Sequence, residues 1–212
     1  MPDFIEKDTE VEEDSVNKKS QPKIIMLNFL KFIFELFKLV LIVIVLAAAI
    51  RYFLISPYQV DGSSMTPTLT DKDYLLVEKV NFIFRNPSRG DIVVFRYPLN
   101  TTINYVKRII GVAGDKITIK DGNITVSNSQ YPSGVVLQEN YLSTSSKTSV
   151  MGDSSEKSWV VSEGEFFVLG DNREHSDDSR SWGIVPKENI LGKVWLEVYP
   201  REHFGIVEHA TY

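Results

Sequence analysis

The feature that most constrains this chain is an apolar run from Phe34 to Ile55. Its charge-free centre, from Leu39 to Ile50, is shorter than the roughly 20 residues that a helix needs to cross the hydrocarbon core. Lys38 and Arg51 can lengthen the span, because their long side chains snorkel to the two interfaces. The run is apolar on every side and follows a polar segment, which favours a membrane helix over a buried core helix or a cleaved secretory signal.

The span divides the chain into three parts. Residues 1–23 are polar and rich in both charge signs, and we predict a disordered tail there. Residues 24–55 form the transmembrane segment and its flank, and residues 56–212 form the folded domain. Most of the nearby basic residues lie on the N-terminal side of the charge-free centre: Lys18, Lys19, Lys23, Lys31 and Lys38. The excess of positive charge predicts a single-pass protein of the cell membrane, with the tail cytoplasmic and the domain outside, and the lipid bilayer as a partner.

Composition narrows the function classes. The chain has 212 residues, of which 43% are hydrophobic, enough for one substantial domain beside the span. A net charge of -5 gives no broad basic surface, which argues against nucleic acid as a partner. There are no cysteines, which excludes a thiol nucleophile, disulfides and cysteine metal sites. With only three histidines, no metal and no cofactor is expected.

Beyond Ile55 the pattern is that of short strands. They are rich in β-branched and aromatic residues and are divided by turn signals such as Gly114-Asp115. Strands are expected at 74–80, 91–97, 105–112, 116–120, 123–127, 165–169 and 191–199. The predicted fold is therefore mainly β, a coiled sheet or barrel-like domain preceded by one transmembrane α-helix. Residues 127–158 are serine-rich and are expected to be a polar insertion with weak strands.

Ser64 and Lys107 stand out as a candidate nucleophile and general base, since no histidine pattern competes for the second role. A serine hydroxyl needs a base, and a lysine can serve if burial lowers its pKa. At pH 7 only about one free lysine in 2,500 is neutral, and keeping it neutral costs about 4.6 kcal/mol. Burial can lower a lysine pKa by about 3 to 5 units. On an alternating strand Lys107 would share a face with Tyr105 and Ile109, while Arg108 points away.

Three segments resemble, in order, the signature boxes of type I signal peptidases: residues 63–69, 105–109 and 170–183. With the preceding span, the resemblance covers about residues 25–200. It implies a membrane-bound serine endopeptidase that removes N-terminal signal peptides from exported preproteins. Cleavage would follow small residues in an Ala-x-Ala-like sequence, and export machinery would be a further partner. Gly62 and the single span are typical of Gram-positive members.

The resemblance also implies roles for individual residues. Ser64 would be the nucleophile, Lys107 the general base, and Ser176 a hydroxyl that orients the lysine. Two ion pairs would brace the site: Asp178 with Arg180, and Asp171 with Arg108.

An extended substrate would lie between residues 57–62 and the strand that carries Lys107, held by main-chain hydrogen bonds. The side chains expected at this site are Tyr58, Val60, Met65, Tyr105 and Val106. The Ser64 main-chain N–H would be the first oxyanion donor. Many members carry a hydroxyl two residues earlier as the second donor, whereas this chain has Gly62. The second oxyanion donor would then be another main-chain N–H, Ser63 or water. We expect no catalytic role for His175.

Three other readings remain open from the sequence. Self-cleaving SOS repressors use the same Ser/Lys chemistry, but they carry a DNA-binding helix-turn-helix where this chain has an acidic tail and a span. A specialised or non-catalytic relative could serve pilin or surface-protein assembly as a binding partner. The chain could also be a membrane-tethered, β-rich binding module without chemistry.

Overall fold

The computed structural model describes residues 6–80, 85–142, 147–150 and 155–212. The chain divides into two compact units, Met1–Ile50 and Arg51–Tyr212. The first is helical, and the second, in its described residues, is mainly β. This confirms the predicted fold class, a mainly β chain with an apolar helix at its N-terminal end.

The described part of the N-terminal unit belongs to helix α1, Glu6–Phe53, whose last three residues lie in the second unit. Within it the segment Lys23–Arg51 has 29 residues, and its most apolar window has a mean hydropathy of 2.7 and no buried residue. At 1.5 Å per residue the segment is about 43 Å long, more than the roughly 30 Å of a bilayer's hydrocarbon core. The helix is therefore long and apolar enough to cross a membrane.

The structure differs from the predicted tail at residues 6–23. These residues continue α1 rather than forming an irregular segment. Extending an existing helix avoids the cost of a new nucleus, and the tail contains several good helix formers, such as glutamate and lysine. Residues 1–5 of the predicted tail lie outside the described residues.

Twelve strands are found in the described part of the second unit. They are β1 Ile55–Gln59, β2 Tyr74–Glu78, β3 Ile92–Tyr97, β4 Asn100–Gly111, β5 Lys116–Lys120, β6 Asn123–Ser127, β7 Val135–Val136, β8 Glu156–Val160, β9 Glu165–Leu169, β10 Val185–Pro186, β11 Ile190–Tyr199 and β12 Gly205–Ile206. A short helix α2, Ser179–Trp182, and 3-10 turns at Lys187–Asn189 and Arg201–His203 complete the described elements.

The described strands form two antiparallel sheets. The larger has eight strands in the order β1-β2-β11-β3-β4-β9-β10, with β12 paired to β11. The smaller has four strands in the order β7-β6-β5-β8. Buried side chains of β2, β3 and β11 pack together with Met65 and Leu69, which follow Ser64 directly in the chain. The core therefore anchors the loop that carries the candidate nucleophile.

The predicted polar insertion is only partly separate from the fold. Its segment Val135–Val136 pairs with β6, and β8, which begins at Glu156, pairs with β5 along its length. The side chains of Glu139 and Thr148 both accept hydrogen bonds from the buried Arg173. Residues 127–158 thus supply part of the smaller sheet and contact the loop near the candidate site. The ranges 143–146 and 151–154 lie outside the described residues.

Candidate active site

Ser64 and Lys107 meet in the structure. The Lys107 Nζ donates a hydrogen bond to the Ser64 Oγ at 2.6 Å. Lys107 lies in β4 opposite Val93 of β3, and its residue is only 3% exposed. The distance is within the range needed for proton transfer between a nucleophile and its base.

The pKa of Lys107 is lowered to about 8, chiefly because burial disfavours the charged ammonium. The carboxylates of Asp178, Asp177 and Asp171 oppose this shift, and the Arg180 cation assists it. Burial therefore prevails over the nearby acidic groups. At pH 7 about one Lys107 in ten would be neutral, compared with about one free lysine in 2,500.

The loop of Ser64 is held from the third signature segment. The Asn172 N–H donates to the Ser64 carbonyl at 3.0 Å, and its side-chain amide donates to the Ser63 carbonyl at 3.0 Å. Sequence reasoning gave Asn172 no role, because a contact between residues more than 100 positions apart leaves no local pattern. Its place in the third signature segment was the only available signal.

Asp171 and Arg108, predicted as a pair, lie together and are both 1% exposed. The Arg108 Nε and Nη2 donate to the two carboxylate oxygens of Asp171 at 2.9 and 2.7 Å. The Thr68 hydroxyl donates to the same carboxylate at 2.6 Å. Asp171 therefore joins the Ser64 segment to β4, and Thr68 is a further contact that the sequence analysis missed.

Asp178 and Arg180 also form the expected pair. The Arg180 Nε and Nη2 donate to the Asp178 carboxylate, each at 2.8 Å. Asp178 accepts a further bond from the Gly170 N–H at 3.1 Å, and Arg180 donates to the Arg173 carbonyl at 2.7 Å. The pair thus ties both ends of the loop between β9 and α2.

Ser176 differs from its predicted role. Its residue is 4% exposed, and its hydroxyl makes no hydrogen bond with any residue that the structure describes, including Lys107. A Cβ added at Gly170 would lie 2.2 Å from the Ser176 Oγ and 2.4 Å from the Ser64 carbonyl oxygen. Glycine is required there by close packing, and Ser176 is buried beside the main chain that carries Ser64.

A cleft of about 260 Å³ opens at Ser64 and Lys107. Four of the predicted substrate-binding residues line it: Tyr58, Val60, Tyr105 and Val106. Met65 does not line this cleft, because it is 1% exposed and packs in the core beneath the Ser64 loop. The Met65 side chain therefore contacts the hydrophobic core and not a bound peptide.

The two walls of the cleft offer main-chain groups. Strand β1 lies at the end of the larger sheet and pairs with β2 alone among the described strands. Strand β4 pairs with β9 only from Arg108 to Gly111, so within the described chain its edge from Asn100 to Lys107 is open on that side. Both edges can accept an added strand.

Gly62 lies in the chain between Asp61 and Ser64, which both line the cleft, and has a left-handed conformation with φ of 99°. Its N–H donates to the Asp71 Oδ1 at 2.8 Å. This main-chain donor is therefore already engaged, and it is removed from the candidates for a second oxyanion donor. Another main-chain N–H, Ser63 and water remain.

Comparisons with known proteins identify the family of the chain. The family model described as "Signal peptidase, peptidase S26" matches residues 33–199. The chain is 34% identical over 203 residues to the probable signal peptidase I-2 of Synechocystis sp., covering 93% of this chain and 84% of that protein. It is 36% identical over 196 residues to the signal peptidase I of Bacillus licheniformis, covering 89% of this chain and 95% of that protein.

A crystal structure of a signal peptidase I from Enterococcus faecalis is 30% identical and covers 51% of this chain and 97% of that chain, with a TM-score of 0.41. The family match spans most of the chain, and the two relatives align over nearly their whole length. The chain therefore belongs to the type I signal peptidase family and is a peptidase, a hydrolase of peptide bonds.

Proposed function

We propose that this chain cleaves signal peptides from exported preproteins with Ser64 as nucleophile and Lys107 as general base. The observation that carries the proposal is the 2.6 Å hydrogen bond between the buried Lys107 amine and the Ser64 hydroxyl. Membership of the signal peptidase I family supports preproteins bearing signal peptides as substrates.

The reaction would proceed in two stages. Neutral Lys107 takes the proton of Ser64 as the Ser64 Oγ attacks the scissile carbonyl carbon, and the resulting ammonium then protonates the leaving amine. In the second stage neutral Lys107 takes a proton from a water molecule as the water attacks the acyl-enzyme, and the resulting ammonium returns that proton to the Ser64 Oγ as the ester bond breaks.

The developing oxyanion requires donors at about 2.7 to 3.1 Å. The Ser64 N–H would be the first donor. With the Gly62 N–H engaged by Asp71, the second would be another main-chain N–H, the Ser63 hydroxyl or a water molecule. Ser63→Ala tests the hydroxyl, because loss of an oxyanion donor typically lowers kcat by about 100- to 1,000-fold.

The substrate would bind as an extended strand between β1 and the open edge of β4. Main-chain hydrogen bonds would hold it, and the side chains of the cleft would select small residues on either side of an x position. Tyr58, Val60, Tyr105 and Val106 line the cleft and support this assignment. Cleavage would then follow an Ala-x-Ala-like sequence.

The length and apolarity of α1 support a single membrane span. The lysines that precede it favour a cytoplasmic N-terminus and an extracytoplasmic domain from about residue 56. Preproteins would reach the cleft at the lipid bilayer as they leave the export machinery.

The test is cleavage of a purified secretory precursor by the full chain in detergent. Ser64→Ala and Lys107→Met should abolish cleavage. Two exposed residues of the same types, Ser129 and Lys116, provide matched controls, and Ser129→Ala and Lys116→Met should cleave like the parent. Cleavage by Ser64→Ala or Lys107→Met at the parental rate would contradict the dyad.

A further inference from the structure

A second cluster of ionisable groups lies where β2 and β11 meet. Asp73 immediately precedes β2, Glu197 lies in β11, and His203 ends the 3-10 turn that follows it. The strand register pairs Glu197 with Leu75 and Tyr199 with Tyr74, which brings the three side chains together. None of the three lines the Ser64 cleft.

The spacing within this cluster suits a metal ion. The His203 Nδ1 lies 3.3 Å from the Asp73 Oδ1 and 3.1 Å from the Glu197 Oε1. One ligand atom from each residue lies within 4.8 Å of the others. Ligands held tetrahedrally around zinc at about 2.0 to 2.2 Å are about 3.3 Å apart. The three groups could therefore converge on one ion with little movement.

The burial of the Glu197 carboxylate also favours a bound metal ion. Its residue is 6% exposed, and its Oε1 is buried without a hydrogen-bond partner among the described residues, although His203 lies within reach. An unsatisfied oxygen beside a second buried carboxylate is costly, and a shared cation relieves both effects.

Asp73 is already oriented as metal ligands commonly are. The Thr70 N–H donates to its Oδ2 at 2.6 Å, and the Thr70 hydroxyl donates to its Oδ1 at 2.9 Å. Hydrogen bonds of this kind fix a ligating carboxylate from outside the coordination sphere. The side chain of His203 is 42% exposed, which leaves a path for an ion to enter.

We propose that Asp73, Glu197 and His203 bind a divalent transition-metal ion, with zinc favoured and water as the fourth ligand. Carboxylates alone would suit magnesium or calcium, whereas the imidazole favours zinc. The proposed site uses one of the three histidines and departs from the expectation, drawn from composition, that the chain holds no metal. This inference does not depend on the proposed function of Ser64.

The location suggests what the ion would do. The Asp73 carbonyl accepts a hydrogen bond from the Val60 N–H at 2.8 Å, and the Lys72 N–H donates to the Val60 carbonyl at 2.9 Å. Val60 lines the cleft. An ion on Asp73 would therefore brace the segment that supports one wall of the cleft, as a structural rather than a catalytic ion.

The test uses the full chain in detergent after removal of metal with a chelator. Zinc is titrated by equilibrium dialysis, and bound metal is measured by mass spectrometry. The parent should bind a single zinc ion per chain more tightly than calcium. His203→Ala should weaken zinc binding by at least about 100-fold, beyond the 10- to 100-fold typical for loss of an outer partner. His175→Ala, an exposed histidine elsewhere, should bind zinc like the parent.

Melting temperature separates a metal site from an ion pair. Zinc should raise the melting temperature of the parent but not that of Glu197→Gln, which keeps the size of the side chain and removes its charge. Absence of zinc binding by the parent, or equal binding by parent and His203→Ala, would overturn the proposal. So would a loss of stability in Glu197→Gln that is the same in zinc and in chelator, since an ion pair alone would then explain the cluster.

Discussion

At the scale of single residues, burial and charge act on Lys107 in opposite directions. Burial lowers its pKa and Asp178, Asp177 and Asp171 raise it, and the net result is a pKa of about 8. An amine with a pKa near the working pH combines a useful neutral fraction with enough basicity to take a proton. The carboxylates keep the lysine from becoming too weak a base.

The first prediction concerns pH. If neutral Lys107 is the base, kcat/KM for precursor cleavage should rise as pH increases, because the ammonium loses its proton. With a pKa of about 8, the rate should rise about 50-fold from pH 6 to pH 8 and level off above it. A rate that falls over this interval would contradict a lysine base.

The same profile should respond to Asp177. This exposed carboxylate raises the pKa of Lys107, so Asp177→Asn should move the rising limb to lower pH. Glu163→Gln removes an exposed carboxylate in another loop and should leave the profile in place. A shift to higher pH in Asp177→Asn would show that the acidic group acts in some other way.

At the scale of elements, the loop between β9 and α2 depends on a buried ion pair. Arg180→Met would leave Asp178 buried without its cation, and we expect a loss of about 3 to 5 kcal/mol in unfolding free energy. Lys120 and Glu156 form an exposed pair on the smaller sheet, with side chains 58% and 47% exposed. Lys120→Met should leave stability nearly unchanged, because water already screens that pair.

Chemical denaturation of the full chain in detergent measures both variants. Equal loss of stability in Arg180→Met and Lys120→Met would contradict the bracing role of the buried pair.

The elements also show what a sequence can and cannot predict. Strands β5, β6 and β9 lie at the predicted residues, because each has a compact run of β-branched or aromatic residues between turn signals. Strand β1 was missed, since Pro57 weakens the strand pattern and is tolerated there only because β1 is an edge strand. Strands β7, β10 and β12 have two residues each, too few for any periodicity.

For the candidate site, the sequence likewise predicted some residues and missed others. Ser64, Lys107 and both ion pairs lie in recognisable segments, and the structure brings them together. The contacts of Asn172 with the Ser64 loop, and the burial of Met65 away from the cleft, depend on how distant segments pack. No local pattern carries that information.

At the scale of the whole molecule, α1 should attach the chain to a membrane. An arginine near the centre of a span costs about 2.5 to 3.5 kcal/mol of insertion free energy. Val43→Arg should therefore increase the fraction released from membranes by alkaline carbonate. Lys38→Arg keeps the existing charge near the end of the apolar centre and should behave like the parent. Release of the parent itself under these conditions would contradict a membrane span.

The central claim is that Lys107 activates Ser64, and the site of covalent labelling tests it most directly. The full chain is incubated in detergent with a peptide-like acylating inhibitor, and the adduct is located by mass spectrometry. We predict an adduct on Ser64 in the parent and in Lys116→Met, and none in Lys107→Met. An adduct on another residue, or undiminished labelling of Ser64 in Lys107→Met, would contradict the account.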